Sequence, residues 1–285
     1  MVAKSLEVRP LAETFGAEVL GVTLSGDMDA DTFNEIKALW LRYEVLLFRD
    51  QQIEKEDLIE FSRRIGPLEI HLREEWLNKT HPEILQITNI REDGKPTGAL
   101  ADGEVGWHFD QIYLPKPAIA SLLYSVKIPP VGGGTHFVDM TAAYARLPRH
   151  LKDVVDGRTA LQSYVAFNQM YSTDTNAKQK NLTPDITHPL VRTHPYTGRR
   201  ALYVCPGMTI AIPGLPEDES RSVLDELFAW TAREEFIYRH DWRVADGLLW
   251  DNACTMHRRD DFDGQHERLM YRTTILPQPD RAIPF

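Results

Sequence analysis

Short β-like runs recur along most of the chain, at 45–48, 118–127, 135–139, 160–166, 201–205, 246–250 and 269–276, with Pro/Gly punctuation at 129–134, 195–198 and 213–216 between them. Strands this short cannot each bury an apolar face alone, so they must pair into sheets that pack on one another. Several of them separated by turns point to a sandwich or jelly roll. Four helices interrupt the pattern. At 31–43 the apolar residues Phe33, Ile36, Leu39 and Trp40 follow helical spacing, and at 55–65 Leu58, Ile59, Phe61 and Ile65 do the same before Gly66-Pro67 stops the helix. Two more are expected at 141–155 and 217–233, the latter entered through Pro216-Glu-Asp-Glu, whose acids suit the positive end of a helix dipole. The chain therefore reads as α+β with a mostly β core. Residues 168–187 are polar and lack apolar periodicity, which predicts a long loop of the kind that forms lids.

With 285 residues the chain is long enough to bury about 74% of its extended surface. No internal repeat divides it, and a single domain over 1–285 is expected. Acidic residues outnumber basic ones by 42 to 32, for a formal charge of −10, and no Lys/Arg run is long enough to follow a phosphate backbone. Nucleic acid is excluded as an expected partner. Cys205 and Cys254 form no C-x-x-C pair, the N-terminus lacks an apolar h-region, and no stretch approaches 18 consecutive apolar residues. These features predict a cytoplasmic protein without a membrane partner, and leave homo-oligomerisation open.

Ten histidines invite a search for metal ligands. In the extended segment Trp107-His-Phe-Asp110, residues i and i+2 point to one side, so His108 and Asp110 can present an imidazole and a carboxylate to one ion. An H-x-D pair alone is a frequent chance match. With a second histidine, for which His257 is the candidate, it would make the facial set of two His and one carboxylate that suits non-haem Fe(II) oxygen chemistry. Downstream, a strand over 268–275 puts Arg268 and Arg272 on one face. Two aligned guanidinium forks near a metal imply two anionic groups to hold, while a solvated surface strand paired to Asp260, Asp261 or Asp263 is the competing reading.

Taken together, these segments are recognisable. Val45-Leu-Leu-Phe-Arg-Asp-Gln51, Phe61-Ser-Arg-Arg-Ile-Gly-Pro-Leu68, Trp107-His-Phe-Asp110, Pro130-Val-Gly-Gly-Gly-Thr135, His188-Pro-Leu-Val-Arg-Thr-His-Pro195 with Gly198-Arg199, Trp250-Asp-Asn252, and Met256-His257 with Arg268-Leu-Met-Tyr-Arg272 follow one another in an order and spacing that resemble the taurine dioxygenase and 2,4-dichlorophenoxyacetate dioxygenase (TauD/TfdA) family. The resemblance spans nearly the whole chain. It implies a double-stranded β-helix with flanking helices, an Fe(II) centre, and 2-oxoglutarate and O2 as cosubstrates. Carried over residue by residue, it makes His108, Asp110 and His257 the iron ligands. Arg268 and Thr135 would hold the far carboxylate of 2-oxoglutarate, and Trp250 would pack beneath it. Arg272, assisted by His71, would take the anion of a small organic substrate.

The chain departs from the taurine pattern at Glu74, Glu104 and Met208, which replace a tyrosine, an asparagine and a phenylalanine. Apolar side chains near these positions, including Trp76, Phe109, Ile112, Tyr113, Phe167, Met170, Tyr171, Met208 and Ile210, offer material for enclosing an aryl or alkyl tail, with Phe109 and Met208 as candidate substrate contacts. An aryloxyalkanoate substrate is therefore expected, with an alkyl sulfonate or sulfate as the alternative. Two other classes compete: a zinc hydrolase on the same three ligands, and a non-catalytic jelly-roll binding module.

Overall fold

The computed structural model of the protein describes residues 6–71, 76–99, 103–170 and 175–281. Glu74 and Tyr171 lie outside them.

The described residues form a mixed α+β structure made mostly of sheet. The larger sheet has seven strands in the order Glu7–Pro10, Ala17–Leu20, Val45–Phe48, Gly247–Asp251, Ala120–Lys127, Leu269–Ile275 and Ile84–Thr88. Its centre is wholly buried: Val45–Phe48 and Gly247–Asp251 expose no residue, as expected where a strand is covered on both faces. A four-stranded sheet runs Ile237–His240, Thr135–Asp139, Thr255–Arg259 and Val105–His108, all antiparallel.

Three apolar clusters join these parts. Leu85, Ile87, Leu123, Leu248, Trp250 and Met270 of the larger sheet pack with Phe137 and Tyr238 of the smaller one. On its other side the larger sheet is covered by the helices Ala30–Tyr43 and Lys55–Ile65, through Phe33, Ile36, Trp40, Leu58, Ile59, Phe61 and Ile65. The third cluster joins Val138 and Met256 of the smaller sheet to the helix Glu217–Thr231 and to Leu202, Tyr203 and Met208.

The first two helices begin on sequence signals. Asp29 accepts from the amide of Thr32 at 2.9 Å, and Glu54 with Asp57 makes a reciprocal capping box. After Ile65 the chain runs directly alongside the last strand, where Leu276 N–H donates to Pro67 at 2.7 Å and Glu69 N–H to Thr274 at 2.9 Å. A Cβ on Gly66 would come within 2.4 Å of the Leu276 carbonyl oxygen, so only glycine permits this approach.

Three expectations need correction. The helix expected over 141–155 is two, Met140–Ala145 and Arg149–Val155, because Pro148 has no N–H to give and disfavours helical backbone at Leu147. The strand expected at 160–166 ends at Gln162; Ser163 Oγ then accepts from Ala166 N–H and starts the helix Tyr164–Met170. The loop expected over 168–187 contains the helix Ala177–Leu182 and the start of the strand Ile186–Pro189, while 171–174 lie outside the described residues. Ala177–Leu182 buries none of its residues, so no apolar stripe announces it; its readable signal is the Asn176/Gln179 capping box.

Trp40 is 1% exposed and wedged between its helix and the larger sheet. Trp40→Ala should destabilise the fold by about 3–5 kcal/mol, read as a lower urea midpoint with unchanged slope. A loss below about 1 kcal/mol would show that the helix does not depend on this contact.

Candidate active site

His108 ends one strand of the smaller sheet and His257 sits in the middle of its neighbour, directly opposite in register. Cross-strand partners hold their Cβ atoms about 4.5–5.5 Å apart, and here the two imidazole centroids are 4.1 Å apart. The extended backbone after His108 turns Phe109 away into the core and brings Asp110 back to the same side. Asp110 Oδ1 is 3.9 Å from Nε2 of His108 and 3.9 Å from Nε2 of His257. Ligand atoms of all three residues lie within 4.8 Å of one another.

The donor set fits a divalent metal. His108 Nδ1 lies 2.8 Å from the carbonyl of Gly106, an acceptor only, so Nδ1 carries the proton and Nε2 keeps its lone pair. Burial holds the His108 imidazole below its usual range, only partly offset by Asp110. His257 is pushed well below its range by burial and then by the neighbouring His108. Both rings are thus neutral ligands at pH 7. Burial opposes the charge on Asp110, but Arg272, His257 and His108 together outweigh it and hold the carboxyl well below the ordinary carboxylate range. Asp110 Oδ1 accepts from Arg272 Nη1 at 2.9 Å and Oδ2 accepts from Ser121 Oγ at 2.7 Å.

Beside this cluster lies a cleft lined from both sheets by Ile87, Val105, His108, Leu123, Thr135, Trp250, His257, Arg258, Arg259, Arg268 and Arg272. Arg268 is 2% exposed, and its Nε and Nη1 have no hydrogen-bond partner among the described residues. Its one side-chain bond, from Nη2 to the Gly133 carbonyl, is long at 3.4 Å. Burial, and then Arg259, bring its pKa down to about 9, so it remains a cation at neutral pH. Buried charges are normally paired, and a guanidinium held this way in a cleft is arranged for an anionic ligand. Thr135 lines the same cleft and accepts at Oγ1 from Trp242 Nε1 at 2.9 Å. Because an indole only donates, the Thr135 hydroxyl proton is left for another acceptor. The glycine turn is more than a turn: Gly132 and Gly133 both have positive φ, and a Cβ on Gly133 would lie 3.3 Å from Arg268 Nε.

The sequence-predicted residues divide by location. His108, Asp110 and His257 come together, and Thr135, Trp250, Arg268 and Arg272 line the adjoining cleft. Arg272 is engaged by Asp110, whereas Arg268 is not engaged by any acid described. His71 stacks on Trp76 at a centroid distance of 5.7 Å. The structure does not bring Phe109 or Met208 to the cleft: Phe109 is fully buried 4.8 Å from the Tyr203 ring, and Met208 belongs to the same apolar cluster. Phe167, on the helix Tyr164–Met170, instead places its ring 5.9 Å from that of His108. Glu104 lies 3.8 Å from Arg258 Nη1 with most of its side chain in solvent. Sequence reasoning passed over Ser121, Trp242 and Arg259. Ser121 and Trp242 carry no local signal, whereas Arg259 stands two residues past His257 on a strand, so it shares that face.

A second group, His194, Asp251 and Cys254, has comparable spacing but is already satisfied internally. His194 Nδ1 accepts from the amides of Tyr196 and Thr197, which puts the proton on Nε2, 2.8 Å from Asp251 Oδ2. Burial raises the Cys254 thiol well above its usual range, away from the thiolate a metal needs.

Comparison with known proteins agrees with this geometry. Residues 7–274 match the family described as "Taurine catabolism dioxygenase TauD, TfdA family". The chain is 33% identical over 293 residues to the (S)-phenoxypropionate/alpha-ketoglutarate-dioxygenase of Sphingobium herbicidovorans, with 98% of this chain and 97% of that protein covered. It is 35% identical over 284 residues to the alpha-ketoglutarate-dependent 2,4-dichlorophenoxyacetate dioxygenase of Cupriavidus pinatubonensis, covering 95% and 98% respectively. Among solved structures, AAD-2 in complex with Mn(II) and N-oxalylglycine matches with a TM-score of 0.82 and 28% identity over 98% of this chain and 100% of that one.

The depressed pKa of His257 links the site to stability. Between the unfolded value near 6.5 and the lower native one, the unfolded chain binds the proton and the native chain does not, so stability falls as pH falls through that window. In His257→Gln the group is gone, while Glu44 and Asp139, whose pKa values are raised mainly by burial, are common to both proteins. The stability of metal-free wild type relative to this variant should therefore decline as pH is lowered below about 6.5. Urea midpoints at pH 7.5 and 5.5 measure it, and a flat or rising difference would place the His257 pKa elsewhere.

Proposed function

We propose that this chain, which belongs to the taurine catabolism dioxygenase TauD, TfdA family, uses Fe(II), 2-oxoglutarate and O2 to hydroxylate a small anionic substrate of the aryloxyalkanoate type. The observation that carries this reading is the buried, acid-free guanidinium of Arg268 beside a His/Asp/His cluster. A zinc hydrolase would need the three ligands but not the arginine, and a binding module would need neither. The two sheets enclosing one cleft support a double-stranded β-helix in a single domain, with the segment near 168–187 as its lid. Buried, unpaired Cys205 and Cys254 suit a cytoplasmic setting, and no helix among the described residues is long and apolar enough to cross a membrane.

His108, Asp110 and His257 would hold the iron. When bound, it supplies the coupling of C–H hydroxylation by O2 to oxidative decarboxylation of 2-oxoglutarate, with succinate and CO2 as coproducts. The residues of the chain do the rest. Arg268 and the Thr135 hydroxyl bind the far carboxylate of 2-oxoglutarate, and Trp250 supplies an apolar floor that fixes its direction. Leu123 and Ile87 exclude water from the same wall. Arg272 spans the metal carboxylate and the region where a substrate anion would lie, so one guanidinium orients both. Phe167 offers its ring on the His108 side to an apolar substrate body. Hydroxylation next to an ether oxygen gives a hemiacetal, which collapses to a phenol and an oxoacid without help from a protein base. The relatives are named for phenoxypropionate and 2,4-dichlorophenoxyacetate, which supports a carboxylate with an aryl body over taurine.

The two arginines should separate kinetically. Arg268→Ala should raise the KM for 2-oxoglutarate with any prime substrate, since a charge-assisted contact of this kind contributes about 1.5–3 kcal/mol, or roughly 10- to 150-fold. Arg272→Ala should weaken the prime substrate instead. Equal shifts in the 2-oxoglutarate KM, with the substrate KM unchanged, would overturn the assignment of Arg272.

Substrate class is decided by competition. An aryl ring removed from water contributes at about 25 cal/mol per Å2 of apolar area, a term taurine's two-carbon body largely lacks. Phenoxyacetate should therefore outcompete taurine when phenol and sulfite release are followed together. Preferential sulfite release would replace this reading with sulfonate oxidation.

A further inference from the structure

We infer that Ser121 and Asn252 are positioning residues that decide which oxygen of Asp110 faces the metal, and that Trp250 sets their direction. The inference rests on the metal role proposed for His108, Asp110 and His257. Its starting point is three consecutive hydrogen bonds that run through Trp250, Asn252 and Ser121, each 1% exposed or less, and end on the Asp110 carboxylate. Trp250 Nε1 donates to Asn252 Oδ1 at 2.8 Å, Asn252 Nδ2 donates to Ser121 Oγ at 3.0 Å, and Ser121 Oγ donates to Asp110 Oδ2 at 2.7 Å.

The chemistry of the two ends allows only one direction. An indole nitrogen has a proton and no lone pair to offer, so Asn252 must turn its oxygen towards Trp250. The amide nitrogen then necessarily faces Ser121, which accepts. Its single proton is left with one place to go, and Asp110, ionised, can only accept it. Turning the Asn252 amide over would set two donors against each other at Trp250 in a site with no water exposure, an unsatisfied arrangement that buried polar networks do not tolerate. The backbone braces the relay as well: Ser121 and Trp250 are cross-strand partners, and Asn252 N–H donates to Ile119 at 2.8 Å.

The consequence lies at the far oxygen. With Oδ2 committed to Ser121, Oδ1, which also accepts from Arg272 Nη1 at 2.9 Å, is the oxygen turned to the two imidazoles, 3.9 Å from each Nε2. The carboxylate would thereby meet a bound metal through one oxygen rather than two, leaving room for the cosubstrate. Trp250 also lines the cleft beside Thr135 and Arg268, so the cosubstrate floor and the carboxylate are parts of one hydrogen-bonded unit.

The test measures Mn(II) binding to the full-length protein by calorimetry and by the electron paramagnetic resonance signal of free Mn(II), with circular dichroism and urea midpoints to establish folding. Ser121→Ala removes the donor to Asp110. Asn252→Asp reverses the relay, because a carboxylate at 252 draws the Ser121 proton to itself. Both should raise the Mn(II) Kd roughly 10- to 100-fold, as loss of partners behind metal ligands does elsewhere, while Ser121→Thr, which keeps the hydroxyl, should stay within about threefold of wild type. A purely structural role would lower the urea midpoint and leave the Kd unmoved. A folded Ser121→Ala or Asn252→Asp that binds Mn(II) within about twofold of wild type overturns the inference. Should neither fold, Trp250→Phe decides: it frees the Asn252 amide to turn, and an unchanged Kd would overturn the relay. Wild type that binds no Mn(II), or binding that survives in His257→Ala, defeats the metal reading itself. Tight wild-type binding with no effect at Ser121 defeats only the relay.

Discussion

The constraint on which the site depends is a carboxylate kept ionised where only 5% of its residue reaches solvent. Burying such a charge alone would be so unfavourable that the group would take up a proton. Asp110 remains charged because the Arg272 guanidinium, from the larger sheet, donates to one oxygen and the Ser121 hydroxyl, from the same sheet, closes the other. Arg272 is 162 residues from it in sequence and Ser121 eleven. The packing of the two sheets can therefore be seen as the means of bringing compensating groups to one oxygen pair, and the ligand geometry follows from that compensation.

Charge is distributed just as unevenly over the rest of the molecule. The chain carries a formal −10, yet four arginines line the cleft. A basic pocket in an acidic body focuses its field on small anions rather than on extended polyanions. Three of the four are already engaged: Arg258 with Asp260 at 3.1 Å, Arg259 with the Gly103 carbonyl, and Arg272 with Asp110. Arg268 keeps two nitrogens without partners among the described residues, which makes it the strongest place for an incoming carboxylate, and Gly133 is what lets the backbone pass so close to it.

Much of this was legible before any coordinates. Period-3.6 apolar spacing located the helices that cover the larger sheet, because a helix lying on a sheet must show its buried stripe. The i, i+2 rule placed His108 and Asp110 on one side of an extended segment and, applied to 268–275, placed both arginines on one face. The same rule turns Phe109, between His108 and Asp110, to the opposite side, where it packs in the apolar core. Trp242 was invisible because its contact with Thr135 lies 107 residues away in sequence, and Ser121 because it joins Asp110, eleven residues back, to Asn252, 131 residues on, a link that no local pattern encodes. The exposed helix Ala177–Leu182 escaped for the opposite reason, since it buries nothing and so leaves no period to detect.

The opposition of His108 and His257 across two neighbouring strands bears on how the protein is made. The two residues come from opposite halves of the chain, and between them in sequence lie the strand Thr135–Asp139, which flanks His257 on its other side, and the helices Met140–Ala145 and Glu217–Thr231. During synthesis the first half emerges with one imidazole and one carboxylate of the cluster. The third ligand arrives only when the late strand inserts between its neighbours, a long-range pairing that folds slowly. A metal held by all three groups would stabilise only the completed state. The His/Asp/His cluster is thus assembled only by strand pairing between the two halves of the chain, and neither half carries it alone.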